Sequence, residues 1–173
     1  MTDVPWFLLI FPVTGTALII MTIRTWIRKK KYGISVLHLI TLPAYLGDVF
    51  RGKIETGVPV KNQTEKEFTV RLICAKRTSR LDRDSDRRVT EEKLWNEEQI
   101  VFGNISETGS NFDVVVNFVI PDDQPATELY PEDDRTLWRL QITSKEKGVD
   151  YAAQCDSRIY TNPENAPSCM RIV

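Results

Sequence analysis

The stretch from Trp6 to Lys31, WFLLIFPVTGTALIIMTIRTWIRKKK, constrains the fold more than any other part of the chain. It is an uncharged apolar run followed directly by a block of basic residues. No side chain between Trp6 and Ile23 is ionisable, and about 18 residues at about 1.5 Å each form a helix of about 27 Å, close to the hydrocarbon thickness of a bilayer. Apolar side chains surround the helix axis on all sides, which is typical of a helix in lipid. The sequence therefore predicts a single transmembrane helix.

Aromatic and basic residues flank this run where they are expected at a membrane surface. The predicted anchor and headgroup contacts are Trp6, Trp26, Arg24, Arg28, Lys29, Lys30 and Lys31. Because the basic residues follow the span, the positive-inside rule places the chain from Tyr32 onward in the cytoplasm, close to anionic headgroups. A signal peptide and a buried core helix are the alternatives. The first of these needs a basic start, whereas this chain begins Met-Thr-Asp-Val-Pro.

The remaining part of the chain, about 140 residues, is long enough for one domain with its own core. The whole sequence holds 23 basic and 24 acidic residues, a formal net charge of -1. Setting the basic flank aside leaves an acidic domain, which argues against a nucleic-acid partner because phosphate binding needs a basic face. We expect an anchor with its basic flank in residues 1–31, a β-sandwich in 32–160 and a loose C-terminal tail in 161–173.

Short alternating apolar runs follow Gly33, separated by Gly, Pro, Asn and Asp as in all-β domains. The predicted strands are Ile34–Leu42, Asp48–Glu55 with a bulge at Gly52, Lys66–Arg77, Lys93–Phe102, Asn111–Pro121, Thr136–Thr143 and Val149–Tyr160. The charged stretch Arg77–Glu92 is predicted to be a solvated hairpin loop. About seven strands without crossover helices favour a mainly β fold, an antiparallel, immunoglobulin-like β-sandwich behind the N-terminal transmembrane α-helix.

The alternation of apolar and polar residues predicts which side chains face the core. The predicted inward residues are Phe68, Val70, Leu72, Cys74, Phe112, Val114, Val116, Phe118, Ile120, Trp138, Leu140 and Ile142. The apolar character of Asn111–Pro121 predicts a strand in the middle of its sheet. Trp95 and Trp138 have apolar neighbours two residues away, so we interpret them as core anchors rather than as a ligand platform.

The residue types that carry chemistry do not form a recognisable site. The candidates are Asp82, Asp84 and Asp86, the single His38, and the cysteines Cys74, Cys155 and Cys169. The aspartates alternate as calcium ligands can, but the loop lacks the glycine and the distal glutamate of a calcium-binding loop. One imidazole and three thiols without a Cys-x-x-Cys pair predict neither a zinc site nor a disulfide framework. We therefore predict no catalytic residue, no cofactor and no metal.

Three segments, in this order and spacing, resemble a family of uncharacterised bacterial membrane proteins catalogued as a domain of unknown function. They are Lys31–Leu39 running into Leu42-Pro43, Leu46-Gly47 and Gly52–Ile54; Arg71–Cys74 leading to Leu94-Trp95; and Leu137–Leu140 followed by Gly148–Tyr151 and Ala153. The resemblance implies a membrane anchor followed by a β-sandwich. The closing strands are also similar to those of arrestin-type sandwiches, which are binding modules. The chain departs from the family in its last strand, where Cys155–Tyr160 replaces an aromatic and Val-Pro-Val-like run.

These features predict a single-pass membrane protein whose β-sandwich acts as a non-catalytic interaction module at the membrane surface. Its expected partners are the lipid bilayer and another protein. One alternative is an accessory subunit of a membrane enzyme or transport complex, whose site forms only with a partner chain and needs a concave polar pocket. Another is an envelope scaffold that assembles through Trp6–Ile23, where small residues permit close helix packing.

Overall fold

The structure is a computed structural model that describes residues 10–61, 65–81, 87–128 and 134–161. Its elements are α1 (Ile10–Tyr32), β1 (Val36–Leu39), β2 (Ala44–Tyr45), β3 (Val49–Pro59), β4 (Lys66–Leu81), β5 (Arg87–Ile105), β6 (Asn111–Val119), β7 (Asp134–Ser144), β8 (Tyr151–Ser157) and β9 (Ile159–Tyr160). No second helix occurs in these four ranges, as the sequence predicts.

Seven of the strands form one antiparallel sheet in the order β1-β3-β6-β5-β4-β7-β8. Strand β5 joins two halves of this sheet. It pairs with β4 from Arg87 to Gly103 and then with β6 through Asn104 and Ile105. The sheet folds over at this end of β5, because buried residues of both halves form one hydrophobic core. The mainly β, antiparallel sandwich that the sequence predicts is therefore confirmed.

The core lies between these halves and consists of the alternating residues of each strand. Every side chain predicted to face inward is buried. The rings of Phe68 on β4 and Phe112 on β6 meet edge to face at 6.2 Å, which joins the two halves. Trp138 is fully buried and its indole nitrogen donates a hydrogen bond to the Pro125 carbonyl at 3.0 Å. Trp95 is partly buried against it, with 5.6 Å between ring centroids, so both tryptophans contribute to the core.

The prediction that Arg77–Glu92 is a solvated loop is wrong over most of its length. Strand β4 continues to Leu81 and β5 begins at Arg87, and the two pair in register to the end. Polar and charged residues can extend a hairpin when the strands already pair, even though their sequence lacks the apolar alternation of a strand. The alternating aspartates Asp82, Asp84 and Asp86, for which sequence analysis predicted no metal, lie outside the described residues.

The predicted bulge at Gly52 is also wrong. Gly52 pairs with Leu39 and Val116 without a register shift. A Cβ at this position would lie 3.1 Å from Leu37 Cδ1 and 3.2 Å from the His38 carbonyl oxygen, so the glycine permits the close approach of β1. The register of β3 against β6 shifts instead between Glu55 and Pro59. The register of β4 against β5 also shifts, between Cys74 and Ala75, where Leu94 is the extra residue.

The predicted strands also differ from the observed ones in their bounds, and some differ in their neighbours. The first is shorter than predicted, and the last is divided at Arg158 into β8 and β9. Strand β9 pairs with β2 in parallel, a contact that the antiparallel prediction did not include. Strand β6 has the predicted interior place in the order, but β5 pairs with it only at Asp113 and Phe112.

Helix α1 covers most of the predicted membrane span and continues through the basic block to Tyr32. The first part of that span, residues 6–9, lies outside the described residues. Among the residues that are described, no helix is long and apolar enough to traverse a bilayer.

Candidate functional site

The end of α1 is fixed to the β domain at a contact that we call the helix–domain junction, formed by Arg28, Lys31 and Tyr32 with the chain around Val149–Tyr151. Tyr32 is only 4% exposed, and its hydroxyl donates a hydrogen bond to the Val149 carbonyl at 2.5 Å. Its ring meets the buried Tyr151 ring edge to face at 5.3 Å. The helix therefore ends in the core of the domain rather than in a free linker.

Two basic side chains of α1 strengthen this junction. Arg28 Nε donates to the Asp150 carbonyl at 3.1 Å. Lys31 Nζ donates to the Tyr32 hydroxyl at 2.7 Å and to the Lys147 carbonyl at 3.2 Å. Arg28, Lys31 and Tyr32 are spaced three and four residues apart, so they share one face of the helix. Sequence analysis assigned the two cations to lipid headgroups and missed this role, although their helical spacing from Tyr32 was a usable signal.

The remaining predicted membrane-contact residues stay on the surface of α1. Arg24, Trp26, Lys29 and Lys30 are exposed, and Trp6 lies outside the described residues. Lys30 Nζ lies 5.1 Å from the centroid of the Trp26 ring, a cation–π geometry. The structure thus separates the predicted set into residues that face away from the domain and residues that bind it.

Helix α1 also exposes a cluster of large apolar side chains that the domain does not cover. They are Leu18, Ile19, Ile20, Met21, Ile23, Trp26 and Ile27, with exposed fractions between 38% and 67%. Single exposed apolar residues are common on protein surfaces, but a contiguous group marks a contact with a membrane or a protein. This group adjoins the exposed basic residues of the same helix.

A concave space of about 930 Å³, the junction cavity, opens beside the helix–domain junction. Its lining includes Arg28 from α1, Lys66 from β4 and Asp150 before β8. Lys66 is already paired with Glu146 at 2.9 Å and with the Lys145 carbonyl at 2.8 Å. The accessory-subunit alternative stays a prediction, since a concave space with polar residues in its lining does not identify a partner chain.

The outer face of β4, β5 and β7 carries a ladder of ion pairs. Arg71 pairs with Glu98, and Arg139 pairs with Glu91 at 2.7 Å and with Asp156 at 3.3 Å. These exposed pairs contribute little to stability individually, because water screens them and long side chains lose freedom in making them. They leave most of this face electrically balanced.

One side of β5, which we call the β5 edge, has no strand beside it from Arg87 to Gly103 within the described part of the chain. The backbone groups on that side therefore have no ladder partner in the described sheet. Ile100 and Phe102 lie on this strand with 62% and 59% of their surface exposed. Unpaired strand edges with apolar side chains are templates for the addition of another strand.

The residues that sequence analysis set aside as chemically inert occupy ordinary structural positions. Burial raises the pKa of the Cys74 thiol to about 11, and burial together with Asp156 raises the pKa of Cys155. Both thiols are therefore poor nucleophiles near neutral pH, since the thiolate is the reactive form. His38 is exposed and lies 3.3 Å from a Glu55 carboxylate oxygen. Among the described residues, no group of three histidine, cysteine or acidic side chains is arranged to hold a metal.

No family model matches this chain, and no curated protein sequence matches it. Among solved structures, it is similar to the crystal structure of Spo0M, a sporulation control protein from Bacillus subtilis, with 12% sequence identity and a TM-score of 0.48. The match covers 75% of this chain and 49% of the Spo0M chain, so this chain spans about half the length of that protein.

Proposed function

We propose that this protein is a membrane-anchored interaction module: the N-terminal segment through α1 holds it at a bilayer, and the β-sandwich binds another protein close to the surface. The observation that carries the proposal is the group of exposed apolar side chains on α1, which adjoins the exposed basic residues of the same helix. Lipid would cover the first group and anionic headgroups would attract the second. The predicted span includes Trp6–Leu9 in addition to the apolar part of α1.

The proposed anchor would hold the domain close to the bilayer because α1 is not joined to the sandwich by a free linker. Tyr32 is buried in the domain directly after the basic block. The basic residues follow the apolar segment, so the positive-inside rule favours the cytoplasmic side for the sandwich.

Fractionation of membranes from cells that express the full chain tests the anchor. We expect the protein to remain in the pellet after an alkaline wash, and the double variant Ile19→Arg/Ile23→Arg to move to the supernatant, because charges within a bilayer are costly. The matched control is Val119→Arg, since Val119 is 65% exposed on β6 and Ile19 is 61% exposed on α1. A parent protein recovered in the supernatant without detergent would refute the proposed anchor.

Labelling of a cysteine introduced by Glu107→Cys, in the exposed β5–β6 loop, tests the orientation. A membrane-impermeant maleimide should label this site only after the cells are opened. Labelling in intact cells would place the sandwich on the outer side.

The β5 edge is the surface that we propose for the protein partner. An extended segment of the partner would pair with the unpaired backbone groups between Arg87 and Gly103, and its side chains would cover Ile100 and Phe102. This mode requires no catalytic residue in the domain. It also accounts for the exposure of Ile100 and Phe102, which are the most exposed of the large apolar side chains on β5.

A photo-crosslinking amino acid at position 102 tests this surface in intact membranes. We expect a crosslinked product whose mass exceeds that of the full chain by one partner, and its loss when Ile100→Lys is added, because charged side chains block strand addition. The matched control adds Val119→Lys on β6. A product that survives Ile100→Lys, or a product with the mass of two copies of this chain, would contradict a heterologous partner at the β5 edge.

A further inference from the structure

We propose that the cleft at the distal end of the β4–β5 hairpin binds a phosphate monoester on a phosphorylated protein segment. This arginine cleft has a volume of about 310 Å³ and is lined by Arg77, Ser79, Arg87, Val89 and Arg135. Three guanidinium groups and a hydroxyl thus line one small space. Arginine clusters are the usual means by which proteins recognise phosphorylated side chains, because the planar fork binds two phosphate oxygens at once.

Arg77 and Arg135 face each other directly across the β4–β7 ladder. Like charges at opposed positions destabilise a sheet, so this pair is unfavourable unless an anion lies between or beside the two groups. On the other side of β4, Arg77 is opposed by Glu91, but that carboxylate binds Arg139 at 2.7 Å. Within the described residues, no ion pair neutralises either Arg77 or Arg135.

The nearest described carboxylate on β7 is also occupied. Asp134 lies 3.4 Å from Lys76 Nζ and accepts a hydrogen bond from the Thr78 hydroxyl at 3.4 Å. Arg135 Nε is shielded from solvent and has no hydrogen-bond partner among the described residues. A buried donor without an acceptor is costly, and a bound anion would supply the acceptor.

The remaining polar groups of the arginine cleft are consistent with this role. Arg87 Nε donates to the Ser79 hydroxyl at 2.6 Å, which orients both side chains toward the same space. Thus Arg77 and Arg135 supply the excess charge, while Ser79 and Arg87 form an ordered wall. Among the described residues, the ion-pair ladder on the rest of this face contrasts with Arg77 and Arg135, which lack such a pair.

The position of the arginine cleft favours a protein over a lipid as the source of the phosphate. Arg77 lies eleven residues from Lys66 along β4, or about 35 Å at the rise of an extended strand. Lys66 lines the junction cavity beside the end of α1. A headgroup of the membrane at that end is therefore far from the cleft, whereas a partner segment along β5 would pass Arg87 and Val89.

Binding measurements on the full chain in a mild detergent test the proposal. The probes are a glycine-flanked peptide with one phosphoserine, the same peptide without phosphate, and neutral vesicles that contain phosphatidylinositol 4-phosphate. We expect binding of the phosphopeptide alone. Arg77→Gln and Arg135→Gln should each weaken it about tenfold or more, since each removes a charge-assisted contact.

The matched control is Arg71→Gln, on the same strand and the same face, where the arginine is paired with Glu98. This variant should bind as the parent does. A second variant, Arg77→Lys, keeps the charge but loses the bidentate fork, so it should retain intermediate affinity even if Arg77→Gln were to fold poorly. Equal affinity for both peptides, an equal loss in Arg71→Gln, or a preference for the vesicles would each overturn the proposal. These binding assays substitute Arg77 on β4 and Arg135 on β7, whereas the crosslinking experiment substitutes Ile100 on β5, so failure of one proposal can be told from failure of the other.

Discussion

Replacing Gly57 by alanine is expected to disrupt the helix–domain junction. A Cβ on Gly57 would lie 1.4 Å from the Tyr32 carbonyl oxygen, whereas ordinary contact begins at 3.4 Å. The end of α1 would have to move by about 2 Å, because a backbone carbonyl cannot rotate away as a flexible side chain can. Such a shift would separate the Tyr32 hydroxyl from the Val149 carbonyl and the Tyr32 ring from Tyr151.

The expected cost follows from the groups that would move. Overpacking of a core costs about 1–3 kcal/mol, and the complete loss of a buried aromatic side chain costs about 3–5 kcal/mol. Because the clash involves backbone and Tyr32 is 4% exposed, we expect the free energy of unfolding to fall by about 3 kcal/mol, where the two ranges meet.

Urea unfolding of the full chain in detergent, followed by tryptophan fluorescence, measures this change. Gly52→Ala should cost less, since its Cβ would meet Leu37 and His38 at 3.1 and 3.2 Å. Gly15→Ala should leave the transition of the domain in place, since nothing lies within 4 Å of its Cβ. Surface substitutions typically change the free energy of unfolding by no more than about 0.5 kcal/mol. A change that small in Gly57→Ala would contradict the close packing of α1 on β3.

Two further predictions concern buried ionisable groups. Burial raises the pKa of Tyr151 from 10.0 to about 12, so the stability that its neutral phenol contributes should be complete below pH 10 and should be lost as the pH rises to 12. Urea midpoints measured across this pH range should therefore fall, and Tyr151→Phe should make that fall smaller. Cys74, with its pKa raised to about 11, should resist maleimide at pH 8 in the folded chain and react once urea unfolds it, as mass spectrometry of tryptic peptides would show. Labelling of Cys74 in the native state at the rate of a free thiol would contradict its buried position.

The arrangement of the core could be predicted from the sequence because it depends on a local property. In a strand, alternate side chains point to opposite faces, so the apolar residues at every second position of VNFVI and WRLQI identify the inward face without knowledge of any partner strand. The same reasoning failed for the charged part of the β4–β5 hairpin. There, the pairing of Arg87 with Leu81 and of Arg88 with Arg80 extends the hairpin without an apolar pattern.

The candidate sites were less predictable. The exposed apolar and basic residues of α1 are evident in the sequence, but the roles of Arg28 and Lys31 at the junction depend on carbonyl groups more than a hundred residues away. The arginine cleft could not be predicted from the sequence at all. Arg77 and Arg135 are neighbours only because β7 pairs beside β4, and no spacing in the sequence brings them together.

The sequence by itself therefore determined the class of fold, the faces of its strands and the apolar and basic character of its first helix. Each of these follows from the order of polar and apolar side chains along a few consecutive residues. The tertiary structure alone decided that β5 joins two halves of one sheet, that β2 pairs with β9 and that Gly57 lies against Tyr32. These features arise from contacts between distant segments, and the free energy of such contacts depends on the shape of the whole domain rather than on any local pattern.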